Sequence, residues 1–262
     1  YSVNCETIEI YIFKKCCYSA LFFIMISNSN LSKKQQTIKK DFSLKGVGLH
    51  SGQKVNLIFQ PAVANNGIKF IRSDLSKNNK INALWSNVSS TTLCTTISND
   101  KGSSVSTIEH LMSALSGMHI DNINILVDGP EIPIMDGSSL PFVELLEKIG
   151  IERQDIDRKT IIINKEIIVN NKNSYAKITP SNQFSIDFEI DFESNLINKQ
   201  ACQLQLINGN YKSDISSART FGFEKDVDYL RSNGFALGGS LDNAVVVGEF
   251  SILNKEGLRF ND

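Results

Sequence analysis

From Gln36 onward the chain settles into regular alternation of apolar and polar positions, with the period of two that marks half-buried strands. Residues 37–45 and 53–60 read as strands, the second directing Val55, Leu57 and Phe59 inward. The glycine-rich run Gly46-Val47-Gly48-Leu49-His50-Ser51-Gly52 connects them, and short strands follow at 67–72, 81–85 and 92–98. The period then changes. Ile108, Leu111, Met112 and Leu115 share one face of a helix over 106–117, closed by Gly117. A strand at 121–127 comes next. After the turn Asp136-Gly137-Ser138-Ser139 comes a helix with Pro141 in its first turn and Phe142, Leu145, Leu146 and Ile149 on its buried face.

The charged stretch 152–159 reads as a linker between two halves. The second half repeats the flavour of the first, with strands at 160–170, 174–179, 183–192 and 200–207. A helix at 224–232, the turn Gly238-Gly239 and a strand at 243–248 complete it. Strands grouped before helices predict an α+β fold of two similar domains, 36–155 and 156–262, each a β-sheet with helices on one face. After Leu258-Arg259-Phe260 no further helix follows, so the second domain is expected to be one helix short and to fold poorly. A sheet without its cover exposes apolar area at about 25 cal/mol per Å².

Composition narrows the class. The 262 residues are 41% hydrophobic and 21% charged with a net charge of -1, which describes a globular protein with a real core. No field gathers polyanions, so nucleic acid is not an expected partner. Of five cysteines, only Cys94 and Cys202 lie in the patterned body, far apart, which is neither a disulfide framework nor a metal knuckle. A reduced, cytoplasmic compartment fits them. Residues 1–35 read as a disordered leader. Lys14-Lys15 and the apolar run from Cys16 to Ile26 look like a signal sequence, but the run of about 11 residues is far below the roughly 20 that span a bilayer. No stable membrane span is expected. Tyr1 is not an initiator and Met25 offers one, so residues 1–24 read as upstream translation, with a genuine leader or an unusual extension as the alternatives.

The chemistry concentrates at Ser106-Thr107-Ile108-Glu109-His110, where a carboxylate and an imidazole stand side by side at a helix start. A base beside a metal ligand needs such a pair, because zinc takes neutral imidazole and the attacking water needs a proton acceptor. The same residues have a structural reading. Ser106, three before Glu109, completes a capping-box pattern. Position 114 is Ala, which excludes the His-Glu-x-x-His zinc helix. His50 sits in a glycine-flanked loop suited either to ligand approach or to a simple turn. His119 reads as structural, and Pro130–Ser139 as a rigid corner. Arg219-Thr220-Phe221-Gly222-Phe223 suits either a nucleotide contact or a strand end.

Taken in order, GVGLHSG (46–52), STIEHLMSAL (106–115), Asp121-Asn122-Ile123, PEIPIMDGS (130–138), ARTFGF (218–223) and GGSLDNA (238–244) resemble the signature blocks of the UDP-3-O-acyl-N-acetylglucosamine deacetylases, zinc hydrolases of lipid A synthesis in Gram-negative bacteria. The resemblance covers about residues 36–262. It implies two sheets facing each other with their helices packed between them, and a Zn²⁺ cofactor. It also implies removal of the N-acetyl group from UDP-3-O-(3-hydroxyacyl)-N-acetylglucosamine by a monomer, releasing acetate. By position, Glu109 matches the general base and His110 the first zinc ligand. Leu93, Cys94, Thr220 and Phe221 match residues around the substrate. Two further ligands from a His-Lys-x-x-Asp helix and an oxyanion histidine from a Gly-His complete the family's site, and neither pattern occurs in the 262 residues. The expectation is therefore a fragment that is inactive as it stands. The alternative is a descendant that keeps the cleft as a catalytically inactive nucleotide-sugar-binding module.

Overall fold

The computed structural model describes residues 7–13, 33–171, 174–182, 184–206 and 209–260. The expectations for Cys5, Lys14 to Ile26 and the initiator Met25 lie outside them. In chain order the strands are β1 (Thr7–Phe13), β2 (Lys34–Ile38), β3 (Phe42–Val47), β4 (Lys54–Pro61), β5 (Ile68–Arg72) and β6 (Lys80–Asn82). A 3-10 turn (Trp85–Asn87) leads to β7 (Val88–Ser90), β8 (Thr96–Ser98), β9 (Ser104–Val105), helix α1 (Glu109–Gly117) and β10 (Ile123–Val127). Helix α2 (Leu140–Ile149), β11 (Ile151–Asp157), β12 (Ile167–Asn171), β13 (Ser174–Ser181), β14 (Ser185–Asp191) and β15 (Lys199–Gln205) follow. The short α3 (Tyr211–Asp214), β16 (Phe221–Phe223), α4 (Glu224–Ser232) and β17 (Val245–Val247) close the order. The fold is α+β.

The first five-stranded sheet runs β3-β4-β10-β5-β6, antiparallel throughout except for the parallel β10–β5 pair. Alternation on β4 sends Val55, Leu57 and Phe59 into the core, as the sequence predicts, and β10 contributes Ile123, Ile125 and Val127. Against them pack Leu111, Met112 and Leu115 of α1 and Phe142, Leu145, Leu146 and Ile149 of α2. Each such side chain, taken fully out of water, contributes about 1.5–3 kcal/mol. A Cβ at Gly117 would overlap the Tyr211 ring, so the bare end of α1 is the floor on which α3 rests. The Tyr211 hydroxyl lies 2.5 Å from Ser113 Oγ and 2.7 Å from Ser139 Oγ, tying α3 to both core helices.

The second five-stranded sheet runs β12-β13-β1-β14-β15. β12–β13 and β14–β15 are antiparallel pairs, and β1 lies between them. Its faces are far less covered. Ile167, Ile168 and Val169 are exposed, and among the described residues no strand residue of β12 to β15 other than Ser185 is buried. α4, the longest described helix of this half, buries none of its residues. The expectation of helices on one face of each sheet thus holds for the first sheet and not, among the described elements, for the second.

Four local readings change. The strand expected over 37–45 divides into β2 and β3, because Lys39 and Lys40 turn outward while Lys39 N–H donates to Gly150 O at 3.0 Å. The expected linker is not a linker: β11 pairs antiparallel with β2. Arg158 beyond it forms a buried ion pair with Asp121 at 2.8 Å, and Gln154 accepts from Asn122 Nδ2 at 2.7 Å, so residues 151–158 belong to the first half. In the leader expected to be disordered, Thr7–Phe13 is a strand. Helix α1 begins at Glu109, three residues later than the periodicity predicts, and the capping box does not form. Ser106 Oγ donates to Pro130 O instead.

Candidate active site

The late start of α1 creates the site. Thr107 sits at φ 56°, a left-handed conformation that is strained for a β-branched residue, so the helix cannot extend back to Ser106. Glu109 becomes the first helical residue, and its carboxylate accepts a hydrogen bond from Thr95 N–H at 3.0 Å, while Ser106 N–H, the capping-box partner, donates to Pro130 O. That bond draws the Leu93-Cys94-Thr95 turn, with Leu93 at φ 62°, against the helix start. Burial pushes the Glu109 carboxyl up to about 7, with the nearby Glu131 charge acting in the same direction. Burial pushes the adjacent His110 imidazole down to about 4, against the pull of Asp136. At neutral pH the pair is therefore a carboxyl poised between its two states beside a neutral imidazole. Their side chains project about 100° apart around the helix.

Behind them lies a buried anion cradle. The Glu131 carboxylate, 2% exposed, accepts from His50 N–H and Ser51 N–H, both at 2.8 Å, and from the Thr107 hydroxyl at 3.0 Å. A Cβ at Gly48 would run into this carboxylate, which is why the loop can wrap it only with glycine there. The loop's amides act as a nest for the negative charge. Burial lowers the His50 pKa, and its buried Nε2 has no hydrogen-bond partner among the described residues. Its ring meets Phe235 edge-on at 5.6 Å.

The second half closes the other side. Asp136 accepts from Arg259 Nη2 at 2.8 Å, Arg219 Nε donates to Asp136 O at 2.8 Å, and Thr220 N–H donates to Gly137 O at 2.8 Å. Leu237 and Gly238 N–H donate to His50 O and Leu49 O. Phe221 stacks edge-on with Phe192 at 5.5 Å and with Phe223 at 5.9 Å. Beside this trio, residues Phe223, Glu224, Lys225, Val247, Gly248 and Asn195 help line a cavity of ≈ 520 Å³.

The structure therefore brings Glu109, His110, Leu93 and Cys94 into one neighbourhood, with Thr220 joined to its Asp136-Gly137 edge. Phe221 lies in the aromatic trio next along β16. Sequence reasoning missed Glu131, Thr107 and Asp136 as parts of this arrangement. The signal was present in the Pro130–Ser138 run, where an acid sits between apolar neighbours and has to be buried. Among the described residues no group of three or more His, Cys, Asp or Glu stands together as a metal ligand set. No described helix is long and apolar enough to cross a membrane.

Comparison with known proteins places the chain in a family. The family model described as UDP-3-O-acyl N-acetylglycosamine deacetylase matches residues 35–262. A UDP-3-O-acyl-N-acetylglucosamine deacetylase of Syntrophus aciditrophicus is 48% identical over 225 residues, 86% of this chain and 71% of that protein. One from Shewanella pealeana is 49% identical over 230 residues, 87% of this chain and 75% of its own length. One from Pasteurella multocida is 48% identical over 231 residues, 87% and 76% respectively. With the match spanning both halves and the whole Glu109–Glu131 neighbourhood, the chain belongs to the UDP-3-O-acyl N-acetylglycosamine deacetylase family.

Proposed function

We propose that this chain carries the proton-handling part of a site that hydrolyses the acetamido group of UDP-3-O-acyl-N-acetylglucosamine, a step of lipid A synthesis carried out in the cytoplasm. One observation carries the reading: a buried carboxyl poised at about 7 lies next to an imidazole held neutral. Glu109 is the general base. In its ionised form it takes a proton from the attacking water, and in its protonated form it returns that proton to the departing amine. His110 is the first zinc ligand, since a nitrogen with a pKa near 4 offers its lone pair at neutral pH. Leu93 and Cys94 border the acetamido group on one side. Thr220 and Phe221 border the substrate on the other, where the aromatic trio offers apolar surface to the acyl chain.

Zinc would polarise the amide carbonyl and acidify the water in such a site. The donors described do not by themselves fit it, because a catalytic zinc takes three protein ligands and His110 is one. The reading therefore divides into two measurable parts. Calorimetric titration of the 262-residue chain with UDP-3-O-acyl-N-acetylglucosamine is expected to show binding that Phe221→Ala weakens about ten-fold, and absence of binding would overturn the substrate assignment. After dialysis the same chain is expected to hold well under one zinc and to release no acetate. Zinc near one per chain would show that residues other than those named complete the ligand set.

A further inference from the structure

The two five-stranded sheets share one wiring. In the first, the central β10 is antiparallel to β4 and parallel to β5, and β3 and β6 flank that trio as antiparallel outer strands. In the second, the central β1 is antiparallel to β13 and parallel to β14, and β12 and β15 flank it as antiparallel outer strands. Strand for strand, β3-β4-β10-β5-β6 corresponds to β12-β13-β1-β14-β15. The difference lies in where the central strand comes from. β10 follows its four partners along the chain, whereas β1 precedes its four by the whole of the first half.

We infer that the β12–β13 and β14–β15 hairpins form an acceptor cleft for an inserted strand, and that residues 7–13 are bound in that cleft as a separable insert. The pairing runs along both sides. Six residue pairs, Thr7↔Ser181 to Ile12↔Ala176, join β1 to β13, and five, Glu9↔Ser185 to Phe13↔Glu189, join it to β14. Remove the insert and the inner edges of β13 and β14 both lose their backbone partners, which makes the cleft a template for any extended segment of suitable pattern. The occupying sequence has that pattern. Ile8, Ile10 and Ile12 alternate with Thr7, Glu9 and Tyr11, the period of a strand with two unlike faces. Each hairpin has an antiparallel pairing of its own that does not pass through the insert. What the insert supplies is the bridge between them.

Hydrogen exchange followed by mass spectrometry tests this on the full chain, on a chain beginning at Met25, and on the full chain with Ile10→Pro, which removes a ladder N–H from a central strand. In both variants, peptides covering Ser174–Ser181 and Ser185–Asp191 are expected to exchange at least about ten-fold faster, while Lys54–Pro61 is unchanged. An added synthetic peptide of residues 5–15 is expected to restore protection in the Met25 chain. Unaltered exchange in β13 and β14 after truncation overturns the inference, whether the cleft has closed or a second copy or another segment fills it. Failure of the peptide to restore protection overturns it too.

Discussion

Two sheets of one wiring sit in very different surroundings. The first is covered by α1 and α2 and supplies most of a core that includes Phe59, Phe70, Leu111, Leu115, Ile125 and Phe142, each at most 1% exposed. The second leaves Val169 63% exposed and has no described helix buried against it. Strand pairing alone does not separate them, since both ladders are continuous. Covering does. A pleated ladder acquires a core only where one face is closed by another layer, and in this chain the closing layer also presents the proposed base and ligand, because α1 begins with Glu109-His110.

The sharpest way to break that comparison is to truncate one apolar side chain to Ala in each sheet's surroundings. Leu111→Ala is expected to cost about 3–5 kcal/mol in urea unfolding, because it opens a cavity in a closed core. A cost below about 1 kcal/mol would mean that the first layer is no better packed than the second.

Next in size is a pH effect confined to the first half. The Glu109 carboxyl has a folded pKa of about 7 against an ordinary 4.5, so the folded chain holds that proton to higher pH than the unfolded one. Its contribution to stability therefore falls as pH rises from about 4.5 to 7 and is fully adverse above. His110 and His119, both pushed down to about 4 from 6.5, act with the opposite sign, losing stability as pH falls from 6.5 to 4. Glu109→Gln isolates the first term. Relative to the parent, the variant is expected to gain about 3 kcal/mol between pH 4.5 and 8, and a flat difference would place the carboxyl in water. Glu131→Ala should cost about 1–3 kcal/mol at all pH values near neutrality, since it strands the amides of His50 and Ser51. A thermal melt shift too small to measure would show that water replaces the carboxylate. The smallest effect belongs to the second sheet: Val169→Ala is expected to change stability by less than about 0.5 kcal/mol.

The first layer was legible in the sequence because each of its rules is local. Val55, Leu57 and Phe59 announce a strand by period two, and Leu111, Met112 and Leu115 announce a helix face by period 3.6. Glu109 and His110 stand out in the sequence because two chemically distinct side chains are adjacent. What stayed hidden depended on partners far away in sequence. Residues 151–157 look like a charged linker until β2, more than a hundred residues earlier, supplies their ladder. Ser106 looks like a cap until the strained Thr107 turns the chain away from helix. Glu131 looks like part of a stiff corner until the amides of a loop 80 residues upstream close on its carboxylate.

The Tyr211 ring over Gly117 has a mechanical meaning. A helix whose last residue carries no side chain offers a socket, and the tyrosine is the peg, latched at its tip by one serine within α1 and another at the N-cap of α2. The socket lies at one end of α1, and Glu109 and His110 stand at the other. One methyl group added at Gly117 would lift the peg and leave the second half to the Asp136–Gly137 turn and to the hydrogen bonds of Leu237 and Gly238 on the His50 loop.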